Sequence, residues 1–242
     1  PAVVPVALVA GLALVVPVAI LVSWLAATGA TTNQSLVFEW SYAVNSVGVS
    51  AAAAAAAVVA GIPVAYLSAR HGGRLAGAFE RVSYVGYAVP GVVLGLALVF
   101  FGSAYAAPIY QTLYLLVFAY VIRFLPQSVG SLRASFLSVD PSLPEAARTL
   151  GQTSAGAFRY VTLPLVAPGL FGGAALVFLT TMKELPATLL LRPSGFTTLV
   201  THIWTAYESG YFGQAAIPAL VLLLVSGLSM LVILRQEGYD VK

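Results

Sequence analysis

Residues 3–27 carry no charged side chain, and neither do residues 42–69. An α-helix rises about 1.5 Å per residue, so roughly 20 apolar residues cross the hydrocarbon of a bilayer. Both stretches exceed that length. Within lipid only helices and closed barrels satisfy their own backbone hydrogen bonds, so stretches this long predict an all-α membrane protein. Four more apolar stretches follow, at 83–103, 108–122, 165–182 and 213–234. The short link Ala104 to Ala107 makes the third and fourth a tight helical hairpin. The fourth reaches full length by running into Arg123 and Phe124 at the headgroups, where arginine snorkels. Six spans result. Composition agrees, because 60% of the 242 residues are hydrophobic and 8% are charged, too few charges to clothe a soluble globule. The net charge of +3 comes from scattered basic residues without a run or stripe, which argues against nucleic acid as a partner. There is no cysteine, so disulfides, thiolate metal sites and cysteine nucleophiles are excluded.

Six spans place both termini on one side of the membrane, and the basic residues say which. With the N-terminus inside, Arg70, Arg74, Arg81, Arg123, Arg133, Arg148, Arg159, Arg235 and Lys242 are cytoplasmic, leaving Lys183 and Arg192 elsewhere. That imbalance puts both termini in the cytoplasm. Trp24, Trp40, Tyr42, Tyr207, Tyr211 and Phe212 suit an interfacial belt, and ordinary packing accounts for them equally well.

The segment from Leu125 to Leu163 is the longest that cannot span, and a loop of that length usually has a task. Ser142-Leu143-Pro144-Glu145 has the spacing of a capping box, and the helix that follows stops at Gly151. A second short helix fits Ala155 to Leu163, capped by Thr153 or Ser154 and ending before Pro164. Two helices joined at a glycine form a docking element or a surface-lying connector.

The anchors Glu145-Ala146-Ala147, Gly151, Val161 and Leu163-Pro164 resemble the EAA loop of permease subunits of binding-protein-dependent ABC importers. The family pattern is Glu-Ala-Ala, three residues, Gly, nine residues, Ile, one residue, Leu-Pro, and Val161 is the single departure. Asn45-Ser46 and Pro90 to Leu96 are similar to the same permeases. The resemblance implies a type I importer (MetI-like) fold. Its parts would be a first helix and outer loop at 1–41 and a permease core at 42–242, with the coupling loop at about 125–164. It implies as partners two ABC ATPase subunits that bind ATP and magnesium, a periplasmic or extracellular solute-binding protein, a second permease half, fused or separate, and membrane lipid. The location implied is a bacterial or archaeal cell membrane. The segment Met182 to Pro193, with Gly195-Phe196 and Thr198-Leu199, resembles ferric-iron permeases and their thiamine and phosphonate relatives, with iron as the first choice. Iron permeases often fuse two such halves, which would fit a chain that opens at Pro1.

Individual residues point less sharply. Lys183 and Glu184 fall near the outer end of the fifth stretch, ahead of a break at Pro186. Charges at the membrane edge often line a pathway, so these three, with Arg192 beyond them, are candidates for a gate or solute contact. A snorkelling interfacial pair and a solvated loop charge are the plainer alternatives. His71 lies in a glycine- and arginine-rich turn without a chemical partner. His202 and Glu208, six residues apart, do not share a helix face and make no metal site by spacing. The Ala51 to Ala57 run fits a close-packing or a lipid-facing helix.

No resident cofactor or catalytic residue is expected. A P-loop requires G-x-x-x-x-G-K-[ST], and the lysines here are Lys183, followed by glutamate, and the terminal Lys242. Hydrolase, metalloprotease and dinucleotide motifs are absent from the sequence too. The expected function is therefore a transport subunit rather than an enzyme. An ion-gradient-driven secondary transporter is the rival class, which would place ionisable residues deep within spans. None of the six stretches holds a charge at its middle.

Overall fold

The computed structural model describes residues 3–31, 38–71 and 73–237. Their regular elements are all helical: α1 (Val3–Thr31), α2 (Trp40–Arg70), α3 (Arg74–Ala88), α4 (Gly91–Tyr105), α5 (Leu113–Ser138), α6 (Ser142–Thr149), α7 (Ser154–Ala157), α8 (Leu163–Met182), α9 (Pro186–Leu191), α10 (Leu199–Glu208) and α11 (Phe212–Glu237). Five stretches are long and apolar enough to cross a membrane: Val4–Thr28, Trp40–Arg70, Leu113–Ser138, Ser154–Met182 and Phe212–Leu231. The pair α3 and α4 makes a sixth if it is one crossing. Lys242 lies outside the described residues.

Three expected boundaries move, each for a local reason. The third stretch, 83–103, is not one helix: α3 and α4 meet at a bend of 100°. Pro90 has no N–H to continue the ladder and forces Val89 into an extended conformation, with φ −78° and ψ 128°. The fourth stretch, 108–122, becomes the helix Leu113–Ser138, which takes in the first part of the expected loop. Its apolar residues Phe124, Val129, Leu132 and Phe136 recur at helical spacing and are buried, so the non-spanning segment begins at Val139 rather than Leu125. The second short helix does not end before Pro164. A π-helical turn at Phe158–Thr162 joins α7 to α8, making one run from Ser154 to Met182. The wider register accommodates the N–H that Pro164 lacks.

The chain divides into two compact units. Residues 1–47 and 195–228 form the first. In it α1 is apolar on all sides, and its spanning window has no buried share. Its end packs through Trp24 on Phe212, at 5.0 Å between ring centroids. The start of α2 is tied to the start of α10, where Ser46 Oγ accepts from Leu199 N at 2.8 Å and Asn45 Nδ2 donates to the Thr197 carbonyl at 2.9 Å. Thr198 and Thr201 complete a reciprocal capping box on α10.

Residues 48–194 and 229–242 form the second unit, with α5 at its centre. Gly169 and Gly173 of α8 face Ser128, Ser131 and Ser135 of α5, and Ser131 Oγ donates to the Gly169 carbonyl at 2.8 Å. The small residues allow backbones to approach closely, as membrane helices require where both lipid and protein are apolar. The alanine run is split: Ala53, Ala54 and Ala57 are buried, whereas Ala51 and Ala55 line an open apolar groove with Phe171 and Phe178. The turn between α4 and α5 falls at 106–112 rather than at the expected Ala104 to Ala107, and Gly102 packs there against Leu115 and Tyr110.

At the crossing of α3 and α5 a Cβ on Gly86 would overlap the backbone carbonyl of Ile122, which cannot rotate away. Gly86→Ala should therefore lower the melting temperature in detergent, at a cost of about 1–3 kcal/mol. Gly48→Ala, with no atom within 4 Å of the added carbon, should leave it unchanged or slightly raised.

Candidate functional site

Two features of the second unit carry the candidate chemistry: the segment Val139 to Pro164, and a charged pair between Arg123 of α5 and Glu184, just beyond α8.

Helix α6 begins differently from the expected capping box. Ser142 and Glu145 make no side-chain cap; Asp140 Oδ1 accepts the Ser142 N–H instead, at 2.9 Å. Pro141 precedes the helix with an αR backbone, and the shorter aspartate two residues upstream reaches the orphan donor first. That bond, assisted by the Arg70 charge, holds the Asp140 carboxyl below the usual carboxylate range. Glu145 is exposed in the first turn, where the helix dipole favours a negative charge. Ala146 is exposed, Ala147 half-buried, and no residue of α6 is buried.

The helix ends as its glycine demands. Gly151 has φ +93°, and Gln152 N donates to the Ala147 carbonyl at 3.0 Å while Gly151 N donates to Arg148 O at 3.1 Å. This is a Schellman stop, for which glycine alone avoids the Cβ penalty. Thr153, the first of the two expected caps, accepts from Gly156 N at 3.1 Å and starts α7. Val161 lies in the π-turn, half-buried, and Leu163 and Pro164 open α8.

The second feature corrects the sequence reading. Arg123 does not close its helix: it lies ten residues into the 26-residue α5, about 15 Å along it. A charge therefore lies within a helix long and apolar enough to span. Pro126, Gln127 and Ser128 interrupt the apolar pattern, yet the buried Phe124, Ser128, Leu132 and Phe136 keep a four-residue period through them.

Arg123 is paired. Its Nε lies 3.4 Å from Glu184 Oε2, and its Nη1 donates at 3.1 Å to the Val89 carbonyl, which the Pro90 break leaves without a helical partner. Glu184 is 7% exposed and lies in the short break between α8 and α9. Its Oε1 accepts the Ala187 N–H at 3.1 Å, so the carboxylate also caps α9 beside Pro186. Thr188 bonds the Glu184 carbonyl and the buried Tyr120 hydroxyl, the latter at 2.6 Å. Gly91 is required here, since a Cβ would come within 2.8 Å of both Arg123 Nη1 and Glu184 Oε1. Lys183, next in sequence to Glu184, is exposed, and Arg192 follows α9 half-buried. The structure thus brings Glu184 to Arg123, with Pro186 opening the helix that Glu184 caps, and leaves Lys183 exposed.

His202 stacks on Tyr42, with ring centroids 4.5 Å apart, while Glu208 is exposed. His71 is exposed against the Tyr66 ring.

With this geometry in place, comparison identifies the class. The family model for the binding-protein-dependent transport system inner membrane component matches residues 57–238, and the chain belongs to that family. It is 34% identical to the Fe(3+)-transport system permease protein FbpB 2 of Haemophilus influenzae over 214 residues. That match covers 88% of this chain and 42% of the relative, so the chain spans less than half of that relative's length. It is 32% identical to a probable molybdenum ABC transporter permease protein of Haloferax volcanii, covering 74% of this chain and 69% of that one. A putative 2-aminoethylphosphonate transport system permease protein of Salmonella typhimurium is 24% identical, over 79% of this chain and 72% of the relative. Among solved structures, the inward-facing MetNI methionine ABC transporter superposes with a TM-score of 0.60 at 19% identity, over 79% of this chain and 90% of that chain. A bacterial ABC transporter involved in the import of the acidic polysaccharide alginate gives 0.68 at 13% identity, over 100% and 95%. The fold is the MetI-like, all-α fold of ABC importer permeases.

The Arg123–Glu184 pair should behave as a unit. Glu184→Gln and Arg123→Met are each expected to lower the melting temperature in detergent, and the double variant to lose less than the sum. A coupling energy of about 0.5–3 kcal/mol from this double-mutant cycle is the expected measurement.

Proposed function

We propose that this chain is the transmembrane permease half of an ATP-driven importer, with ferric iron as its solute, and that α6 is the segment that docks on a separate ATPase. The observation that carries this reading is α6 itself: eight residues, none buried, bearing Glu145-Ala146-Ala147 and closed by a positive-φ glycine. A short amphipathic helix held clear of its own core, at the head of the spanning run Ser154–Met182, has the form of a lever for an external subunit. Gly151, Val161, Leu163 and Pro164 fix the angle between that lever and α8.

Iron rests on the 34% identity to the Haemophilus relative over most of the chain. Molybdate and phosphonate remain the competing solutes through the other relatives. On this reading the cytoplasm holds both termini and the loop around α6, two ATPase subunits bind ATP and magnesium there, and a solute-binding protein loads the opposite face. A second permease half completes the pathway, and the span of 42% of the iron relative suits a half that elsewhere is fused to its counterpart. Glu184 with Arg123 is the pathway contact, and Lys183, Pro186 and Arg192 flank it. A largely buried ionisable pair beside two helix breaks supports a solute route there, and the docking helix supports ATP rather than an ion gradient as the driving force.

Single cysteines test the orientation in this cysteine-free chain. Asn33→Cys, at a position outside the described residues, and Ser154→Cys should label from opposite faces with an impermeant reagent; labelling from one face overturns the topology.

Coupling is tested with Gly151→Val. A β-branched residue at positive φ is strained by about 1–3 kcal/mol, and no neighbouring atom lies within 4 Å of the new carbon, so the strain falls on the backbone. The variant should reach the membrane normally. Reconstituted with its ATPase and binding protein, it should lose ATP-driven ferric uptake at least tenfold, where the unaltered chain accumulates iron in preference to molybdate or 2-aminoethylphosphonate. Normal uptake by Gly151→Val would make the loop a connector only.

A further inference from the structure

Helix α6 has little to hold it. It buries no residue, Leu143 is 46% exposed and Leu150 86%, and beneath it lies a cavity of about 380 Å³ lined in part by Arg70, His71, Glu145 and Arg148. Force applied to such a helix must enter the membrane body at its ends. Its exit leads through Gly151 into α7 and α8. Its entry, Val139-Asp140, is gripped by a residue 69 positions away: Arg70, the last of α2, whose Nη2 donates to the Val139 carbonyl at 2.8 Å.

The surroundings make this more than a solitary hydrogen bond. Val139 follows the last turn of α5 and is itself buried, so its carbonyl is an orphan of the helix end that needs a donor. The guanidinium also acts on the Asp140 carboxylate, which holds the first N–H of α6. One turn back along α2, Tyr66 meets Phe136 of α5 edge-on at 5.5 Å and Phe158 of the π-turn at 5.8 Å. The last turn of α2 therefore touches both flanks of the lever, the entry through a charge-assisted bond and the exit through aromatic rings. Charge-assisted hydrogen bonds are roughly twice as strong as neutral ones, and the planar fork holds a direction that an ammonium does not.

We propose that Arg70 is the positioning residue through which displacement of α6 is transmitted to α2, so that ATPase movement reaches two spans, α2 and α8, rather than α8 alone. This rests on the coupling role given to α6 above. The test co-reconstitutes the full chain with its ATPase and solute-binding protein and compares Arg70→Met, Arg70→Lys and Gly151→Val. Arg70→Met should still co-purify with the ATPase, yet lose at least tenfold of ferric uptake and raise the ATP hydrolysed per iron moved by at least threefold. Arg70→Lys, which keeps one donor and the charge, should recover at least a third of the uptake. Uptake within twofold of the unaltered chain for Arg70→Met, or a lysine variant no better than methionine, overturns the inference. So does an Arg70→Met chain absent from the membrane, which would make Arg70 a folding determinant. The outcomes separate the two levels: uncoupling by Gly151→Val alone leaves the lever and removes the Arg70 link, whereas normal uptake by Gly151→Val removes the lever.

Discussion

Hydrocarbon offers no hydrogen bonds, so each interruption of a helix inside the membrane must find its partners within the protein. Among the described residues, the helix breaks at Val89-Pro90 and between Met182 and Pro186 share one ion pair. Arg123 takes the carbonyl freed by Pro90, and Glu184 takes the N–H exposed at the start of α9. A single arginine at the centre of a span costs about 2.5–3.5 kcal/mol on insertion scales. The facing carboxylate and the freed carbonyl offset that cost, while Gly91 keeps the space between them open. The bend between α3 and α4 and the kink after α8 thus meet at one ion pair.

The cytoplasmic segment of the proposed topology follows the opposite logic. Its conformation is set locally: Asp140 starts α6, Gly151 stops it, Thr153 starts α7, and a π-turn carries the chain past Pro164. Few contacts bind α6 to the body, as suits a helix kept for a partner. What ties its flanks are the charge-assisted bond from Arg70 and the rings around Tyr66. The chain therefore pairs helix breaks tied by a largely buried ion pair with a loosely seated, locally stiff helix.

Much of this was legible in the sequence, because lipid imposes a composition rule strict enough to read by eye. The apolar stretches gave the helical class, Gly151 its left-handed stop and Thr153 its cap. The anchors from Glu145 to Pro164 led to the permease family that comparison supports. Boundaries failed where proline carried two meanings. Pro126, inside the loop expected to open at Leu125, lies buried within α5; Pro164, the expected stop of the second short helix, is absorbed by a π-turn; and Pro90, inside the expected third span, divides it.

The sequence by itself determined what each segment can be: apolar length fixes a helix in lipid, and a glycine at positive φ fixes a turn, since both depend on neighbours along the chain. Tertiary structure alone decided which distant groups meet. Arg123 and Glu184 are 61 positions apart and Arg70 and Val139 are 69 apart, and no local pattern records such pairs. Their partners are chosen by which backbone atoms a remote break or helix end leaves unsatisfied, and that is settled only when the helices pack.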